Sequence, residues 1–551
     1  MASSPALQTL CCELVEEYYG DFYRTLFECL SQGGRLTTTQ VAQKCHLPLR
    51  QVKAGLAGLI QLRLINHHTV SDSPSTYSAN LTNAYNTIRA GKLIQAAHMY
   101  YDELAAEIVE TLCELGFATI SEVRDRVLSS SNVVEAGNVH LIEHRIQELL
   151  EDQVLTHLRL AHFSEAYDTR RDYELIDTSA VQLAKLSGTK AKQEHADRVE
   201  AGYRNLVSTT KSESGYTNDE YLSTIDKTSS NGVNGMTNGY HKPIPVLLQP
   251  NLHKIVSLAQ ETCAADIATE IFGRTAGTVL RCAIRQVASS NVWIEQPSEY
   301  IHLIDLQVLK DDVNVERQNQ TGTDSRIAKA KLNGHSGTTE ENDLRLGEIE
   351  RQLASLAEGP FRFLSSGAAG SSFFIDKDKL DSYMRREEML QAMDSKFQAP
   401  APRILRVLID KGKLEEKTLQ EIGLLGAKEL RQCLLMLKQM GYLDLQEVPR
   451  NPQRQPNQTV FLWFHDAKRV SNIILENTYT TIARLIALLK LERQKLASTL
   501  IKVDRADVRG REEQMLSAAE YTVLLRHRKL EEWIWGEIHR LDSTVAILRD
   551  S

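Results

Sequence analysis

The chain has 551 residues, a net charge of −8 and 42% hydrophobic residues. Its length exceeds what one hydrophobic core spans, so we expect several domains. The acidic balance argues against a protein that coats nucleic acid through bulk electrostatics, and the absence of a long uncharged apolar run argues against a membrane span. The start of the chain, Met1 to Pro5, lacks the pattern of a signal peptide, which predicts an intracellular protein.

A module made of a short helix, a turn, a longer apolar helix and a strand pair is clearest from Thr37 to His68. Thr37 is placed to cap the first helix, and Pro48 interrupts the chain where a second helix can start. The second helix has apolar residues at helical spacing. Two strands are predicted after it, joined by a turn at Ser71 to Pro74. We interpret this pattern as a winged helix-turn-helix.

Three further segments show the same order of signals. The second copy has helices around 120–127 and 141–150, with a lengthened turn at 129–138. The third has helices around 267–271 and 279–287, followed by paired strands at 292–294 and 300–303. The fourth has helices around 419–422 and 430–437 and strands at 442–445 and 460–463. Four such matches in order are hard to obtain by chance.

These signals predict a mainly α fold with small β-hairpin wings, built from four tandem winged-helix domains and a C-terminal antiparallel coiled coil. Segments rich in Ser, Thr, Asn and Gly separate the modules and are predicted to be flexible. The expected domains are winged helix 1 (1–90), winged helix 2 (91–205), a linker (206–244), winged helix 3 (245–398) with a disordered insertion near 311–342, winged helix 4 (399–466) and a coiled-coil hairpin (467–551).

The C-terminal region has two apolar seams with coiled-coil spacing. The first runs from Leu475 to Leu496 with Arg493 at its one polar position, and the second runs from Leu530 to Leu548. Trp533 and Trp535 are two residues apart and cannot share a helix face. We therefore predict that at least one of them meets a partner or another domain, although a tryptophan is more often a core residue.

Signatures of catalysis and cofactor binding are missing from the sequence. No Walker A loop, G-x-S-x-G elbow or H-E-x-x-H motif occurs. The eight cysteines form no C-x-x-C pair, so reduced structural cysteines are favoured over a metal site. We expect no cofactor, no metal and no catalytic residue.

Local basic pairs are candidates for DNA contact, because a helix-turn-helix presents its second helix to DNA. The pairs are Arg50 with Lys53, Arg281 with Arg285, and Lys428 with Arg431. Taken singly, such residues more often form solvated helix faces. Winged helices also dock other proteins, so the fold leaves both interpretations open.

The run YYGDFYRTLFECLSQGGRLTTTQVAQ, which starts at Tyr18, the segment FGRTAGTVLRCAIRQ, which starts at Phe272, and the order of the modules resemble one known family. This family is the large subunit of the RNA polymerase III-specific heterotrimer, which is related to the alpha subunit of transcription factor IIE. The zinc ribbon of the factor IIE relatives has no counterpart here, so the resemblance implies no metal.

The resemblance implies a non-catalytic nuclear subunit of DNA-directed RNA polymerase III. Such a subunit is expected on the clamp of the polymerase core with two smaller partners, where it supports opening of promoter DNA for synthesis of tRNA, 5S rRNA and other small RNAs. The alternative from another class is a winged-helix scaffold of a protein-sorting or degradation complex that binds no nucleic acid.

Overall fold

The computed structural model describes residues 4–69, 74–130, 138–180, 189–207, 247–289, 301–314, 316–317, 345–359, 363–367, 372–397, 400–449 and 459–550. The described chain is mostly helical and has small three-stranded antiparallel sheets, an arrangement consistent with winged-helix domains. It divides into two compact units, one of Met1–Ser257 with Ala288–Glu299 and one of Leu258–Val287 with Tyr300–Ser551. None of the described helices combines the length and apolarity that a membrane span requires.

The first module forms around a sheet in which the third strand lies between the first and the second. Thr37 and Gln40 form a reciprocal capping box at the start of α3, and Pro48 precedes α4 as expected. Val52, Leu56 and Leu59 of α4 are buried, as the helical spacing predicts. The elements are α1 (Pro5–Tyr19), α2 (Asp21–Gly33), β1 (Leu36–Thr37), α3 (Thr38–Cys45), α4 (Leu49–Gln61), β2 (Ile65–His68), β3 (Thr76–Ala79), α5 (Leu81–Asn86) and α6 (Ala90–Tyr100).

The second module has the same strand order, but its third strand comes from beyond the expected linker. Leu247–Pro250 pairs with Leu155–Leu158 and Ala118–Thr119. The boundary predicted at residue 245 is therefore wrong, because it separates a strand from its own sheet. The elements are α7 (Glu103–Leu115), β4 (Ala118–Thr119), α8 (Ile120–Ser130), α9 (Asn138–Glu151), β5 (Leu155–Leu158), α10 (Ala166–Ala180), α11 (Thr189–Val207) and β6 (Leu247–Pro250). The expected linker from 208 onward lies outside the described residues.

The third sheet shows that the helices and strands of the third module were predicted incorrectly. Ile301–Leu303 pairs with Phe373–Asp376, which in turn pairs with Leu364–Ser366. By comparison with the first module, Arg274–Ser289 precedes the first strand, so it is the first helix of the module and not its recognition helix. The elements are α12 (Lys254–Phe272), α13 (Arg274–Ser289), β7 (Ile301–Leu303), α14 (306–314), α15 (Leu346–Glu358), β8 (Leu364–Ser366), β9 (Phe373–Asp376) and α16 (Lys377–Lys396).

The cause of this error is that all helices of such a module carry an apolar face. The buried positions Val279, Leu280, Ile284 and Val287 give α13 the periodicity expected of a recognition helix. The helix in the recognition position is α15, which follows an insertion. That insertion starts later than predicted, because 311–314 and 316–317 are helical. Residues 318–344 and the predicted strand at 292–294 lie outside the described residues.

The fourth module follows its prediction closely, since nothing long interrupts it. The strand order is again first, third, second, with Leu445 opposite Trp463. Leu430, Leu434 and Leu437 are buried on α19. The elements are α17 (Ala401–Lys411), β10 (Leu414–Glu415), α18 (Glu416–Gly423), α19 (Ala427–Gln439), β11 (Asp444–Pro449) and β12 (Thr459–Phe464).

Two long helices close the chain, and both predicted seams face the interior where they meet. Ile482 and Ile486 on one helix and Ile534 and Ile538 on the other are fully buried. Both helices also contact α16. The elements are α20 (Ala467–Lys495), α21 (Ala497–Val503), α22 (Glu512–Met515) and α23 (Ala518–Arg549).

Candidate nucleic-acid and partner interfaces

In the described part of the chain, four helices occupy the recognition position, directly before the second strand of a sheet: α4, α9, α15 and α19. A helix in this position contacts DNA only if its solvent face carries cations that are available to phosphate. The charges on these four solvent faces differ, so the four helices differ in how well they could contact DNA.

The solvent face of α4 is cationic. Arg50 and Lys53 are exposed, and neither forms an ion pair with a described residue. Lys44, near the end of α3, is exposed as well. His46 links the two helices in the left-handed conformation with φ of 53°. This turn brings the end of α3 next to the start of α4, where a helix-turn-helix approaches the DNA backbone.

The orientation of α4 is fixed by contacts at its C-terminal end that the sequence did not reveal. The Gln61 side-chain amide donates to the carbonyl oxygens of Leu115 (2.9 Å) and Phe117 (2.8 Å). Arg63 donates to the His162 carbonyl oxygen at 2.6 Å and lies 4.7 Å from the centroid of the Phe163 ring. Burial lowers the pKa of Arg63 to about 10. The first module is thereby tied to the second.

The solvent face of α9 is largely neutralised. Arg145 forms ion pairs with Asp102 at 2.7 Å and with Glu148 at 2.5 Å. Glu143 lies 3.5 Å from Arg124 of α8. Because Arg145 is already paired with two carboxylates, α9 has little positive charge available to bind phosphate.

Arg281 and Arg285 do not lie on a recognition helix, which corrects their predicted placement. Arg285 donates to Glu261 at 3.1 Å and to Glu316 at 3.2 Å, and Arg281 lies 3.5 Å from Glu316. The Glu261 side chain is only 1% exposed. The two arginines therefore hold α12 and residue 316 against α13. The helix in the recognition position, α15, carries charges of both signs, with Glu348 and Glu350 beside Arg351.

The solvent face of α19 mixes cations with exposed leucines. Arg431 donates to Glu416 at 2.6 Å, whereas Lys428 is exposed and forms no ion pair with a described residue. Leu435 lies on the same face and is 56% exposed, and Leu424 in the preceding turn is 84% exposed. An apolar surface of this kind is more typical of a protein interface than of a DNA interface.

The two tryptophans of α23 differ in exposure. Trp533 is 56% exposed, whereas Trp535 is half-buried with its ring centroid 6.3 Å from that of His539. Trp533 is thus the one of the pair that is available to a partner.

The eight cysteines form no disulfide. All eight are free thiols, and burial raises the pKa of Cys12 to about 11 and that of Cys263 to about 12. A raised thiol pKa leaves little reactive thiolate at neutral pH. In the part of the chain that the structure describes, no three side chains among His, Cys, Asp and Glu converge as metal ligands.

Helix-turn-helix units closed by small antiparallel sheets define the class of winged-helix proteins. Comparison with protein families agrees with this class. The family described as RNA polymerase III subunit RPC82 matches residues 144–396, its helix-turn-helix domain matches residues 9–70, and POLR3C, C-terminal winged-helix domain, matches residues 390–465.

Relatives along the whole chain carry the same description. The chain is 28% identical to a protein of Aspergillus fumigatus named DNA-directed RNA polymerase III subunit rpc3, across 98% of this chain and 99% of the relative. Proteins of the same name are 28% identical in Ajellomyces capsulatus and 27% identical in Aspergillus clavatus. The family matches and the full-length relatives together support a large winged-helix subunit of RNA polymerase III.

Proposed function

We propose that this chain serves a nuclear RNA polymerase III as a structural, non-catalytic subunit that supports promoter opening and initiation of tRNA, 5S rRNA and other small RNA synthesis. The observation that carries the proposal is the match to RNA polymerase III subunits over almost the full length of both chains. A scaffold of a sorting or degradation complex gains no support from these relatives.

The proposed architecture is four winged-helix domains in tandem followed by an antiparallel coiled coil. The same strand order in four sheets supports the four domains. The register of the last helices supports the coiled coil, since Lys502 contacts Glu520 while the earlier Arg493 contacts the later Glu531. The contacts thus run in opposite chain directions, as antiparallel helices require.

The proposed partners are the polymerase core, at its clamp, and the two smaller subunits of the heterotrimer. Exposed Trp533 supports a partner surface on the coiled coil. For promoter DNA, we propose α4 as the contacting helix, because Arg50 and Lys53 are exposed and form no ion pair with a described residue. Arg281, Arg285 and Arg431 are weaker candidates, since they already contact carboxylates. Lys428 is weaker because it shares its face with the exposed Leu435.

Affinity purification of the tagged full chain from nuclear extract tests the proposal. We expect the eluate to contain RNA polymerase III core subunits together with two smaller partners in equal amounts. An eluate with sorting or degradation factors and without polymerase subunits would overturn the proposed function.

A further inference from the structure

The outer face of α23, defined here by Arg526, Lys529, Trp533 and Gly536, is not explained by packing against the described residues of the chain. These residues lie at helical spacings of three and four, opposite the buried Leu524, Ile534 and Ile538, and all four are exposed. We propose that this face docks an acidic amphipathic helix of another RNA polymerase III subunit. The inference rests on the proposed function and adds the chemistry of the partner.

Gly536 gives the first argument for a close partner. It lies inside the 32-residue helix Ala518–Arg549, where glycine is less favourable than alanine because of its greater conformational freedom. A Cβ atom at this position would meet no atom of a described residue within 4 Å. The described part of the chain therefore imposes no need for glycine here. A partner helix packed closely against α23 would explain glycine at this position, since the missing side chain leaves room for a residue of the partner.

Trp533 gives the second argument. The exposed indole of Trp533 lies one helical turn from Gly536, where no side chain is present. A large apolar ring next to such a space can interdigitate with the side chains of a second helix. Tryptophan and arginine are the residues most enriched among those that dominate binding energy at protein interfaces. The face has one aromatic ring among its four residues. Single-stranded nucleic acid is usually bound in a groove with several stacking rings, so a protein helix fits this face better.

The charges decide the chemistry of the partner. Arg526 and Lys529 form no ion pair with a described residue, whereas Arg540 further along the helix already contacts Glu537 at 2.6 Å. Two available cations beside an indole are complementary to carboxylates that flank an apolar stripe. The partner helix is therefore acidic at its edges and has small or apolar residues at its centre.

The experiment compares full-length variants in their association with RNA polymerase III from cells that lack the natural chain. Trp533→Ala is expected to weaken association roughly tenfold or more. Arg526→Gln with Lys529→Gln is expected to weaken it and to flatten its dependence on salt. Gly536→Ala is expected to raise the melting temperature of the free chain and yet weaken association, a combination that loss of folding cannot produce.

Matched controls lie elsewhere on the same chain. Gly347 is a helical glycine with open space around its Cβ position, and Arg509 and Lys468 are exposed cations. Gly347→Ala and the pair Arg509→Gln with Lys468→Gln are expected to leave association unchanged. Wild-type chain that fails to associate with the polymerase would overturn the proposed function itself. Normal association of wild type and of all outer-face variants would overturn only the docking helix.

A nucleic-acid role for the same face has a separate readout. Binding of each variant to a single-stranded 20-nucleotide DNA is measured in parallel. If the outer-face variants lose DNA binding but associate normally with the polymerase, the face contacts nucleic acid and the proposed helix is excluded.

Discussion

Arg493 of α20 forms an ion pair with Glu531 of α23 at the one polar position of the first apolar seam. The side chains are about one third exposed, so the pair lies at the edge of the helix interface. On its N-terminal side, the seam residues Ile482, Ile486 and Leu489 are buried, and on its C-terminal side Leu496 is partly buried. The polar position therefore links the two helices without burying an uncompensated charge.

Replacing Ile482 and Ile486 with Asp tests whether these helices form an assembly element. Both side chains are fully buried, so two unpaired carboxylates would cost on the order of several kcal/mol. Urea unfolding and recovery of partners after affinity purification measure the effect. Leu488→Asp with Leu491→Asp, at exposed positions of the same helix, should cost only about 1 kcal/mol. Equal stability and assembly of the two double variants would contradict the prediction.

Gly116 lies at a close approach between the first two modules. Its φ is +80°, and a Cβ atom there would lie 2.1 Å from the carbonyl oxygen of Gln61. Gly116→Ala is therefore expected to destabilise the chain by about 1–3 kcal/mol, measured by urea unfolding. The control is Gly91→Ala, which has open space in helix α6 and should be neutral or slightly stabilising. A neutral Gly116→Ala would mean that the contact is looser than described.

Arg285 is expected to matter for stability and not for DNA. Arg285→Ala removes a partner of the buried Glu261 carboxylate, which should cost about 1–3 kcal/mol. Arg274→Ala, at the exposed start of the same helix, should have little effect. Thermal melting distinguishes the two variants, and DNA binding at a permissive temperature should be equal for both. Normal stability with weaker DNA binding for Arg285→Ala would support the original recognition-helix interpretation.

His465 should make the second unit sensitive to mild acid. Burial lowers the pKa of this imidazole below its ordinary value of 6.5. The unfolded chain therefore takes up a proton near pH 6.5 while the folded chain resists it, so the free energy of unfolding falls as pH drops below about 6.5. The fall ends once the pH is below the folded pKa. His465→Gln should reduce the change measured between pH 7.5 and 5.5, with His98→Gln as a control at an exposed histidine.

The sequence predicted local structure better than pairings between distant segments. The first and fourth modules are nearly continuous in sequence, and the helices of both follow the predicted apolar spacing. In the second module, the third strand follows residues 208–246, and in the third module residues 318–344 separate α14 from α15. Strand pairing across such insertions leaves no local signal.

The candidate site shows the same limit for charged residues. The spacing of Arg281 and Arg285 suggested an open basic face, but the carboxylates that hold Arg285 are 24 and 31 residues away in sequence. Only the fold shows which cations are already paired. Arg50 and Lys53 are likewise about one helical turn apart, but both side chains are exposed. Gly536 was overlooked because its significance depends on the empty space beside it.

DNA binding through α4 is tested by Arg50→Gln with Lys53→Gln on a 20-base-pair duplex over a series of salt concentrations. Each lost phosphate contact should reduce the slope of log affinity against log salt by about one unit, so affinity falls and the slope flattens. Stability should hardly change, because both side chains are exposed. Lys428→Gln with Arg431→Gln removes the same charge from α19 and is expected to leave the slope nearly unchanged, since Arg431 contacts Glu416. If the α19 pair flattens the slope and the α4 pair does not, the DNA contact belongs to the fourth module.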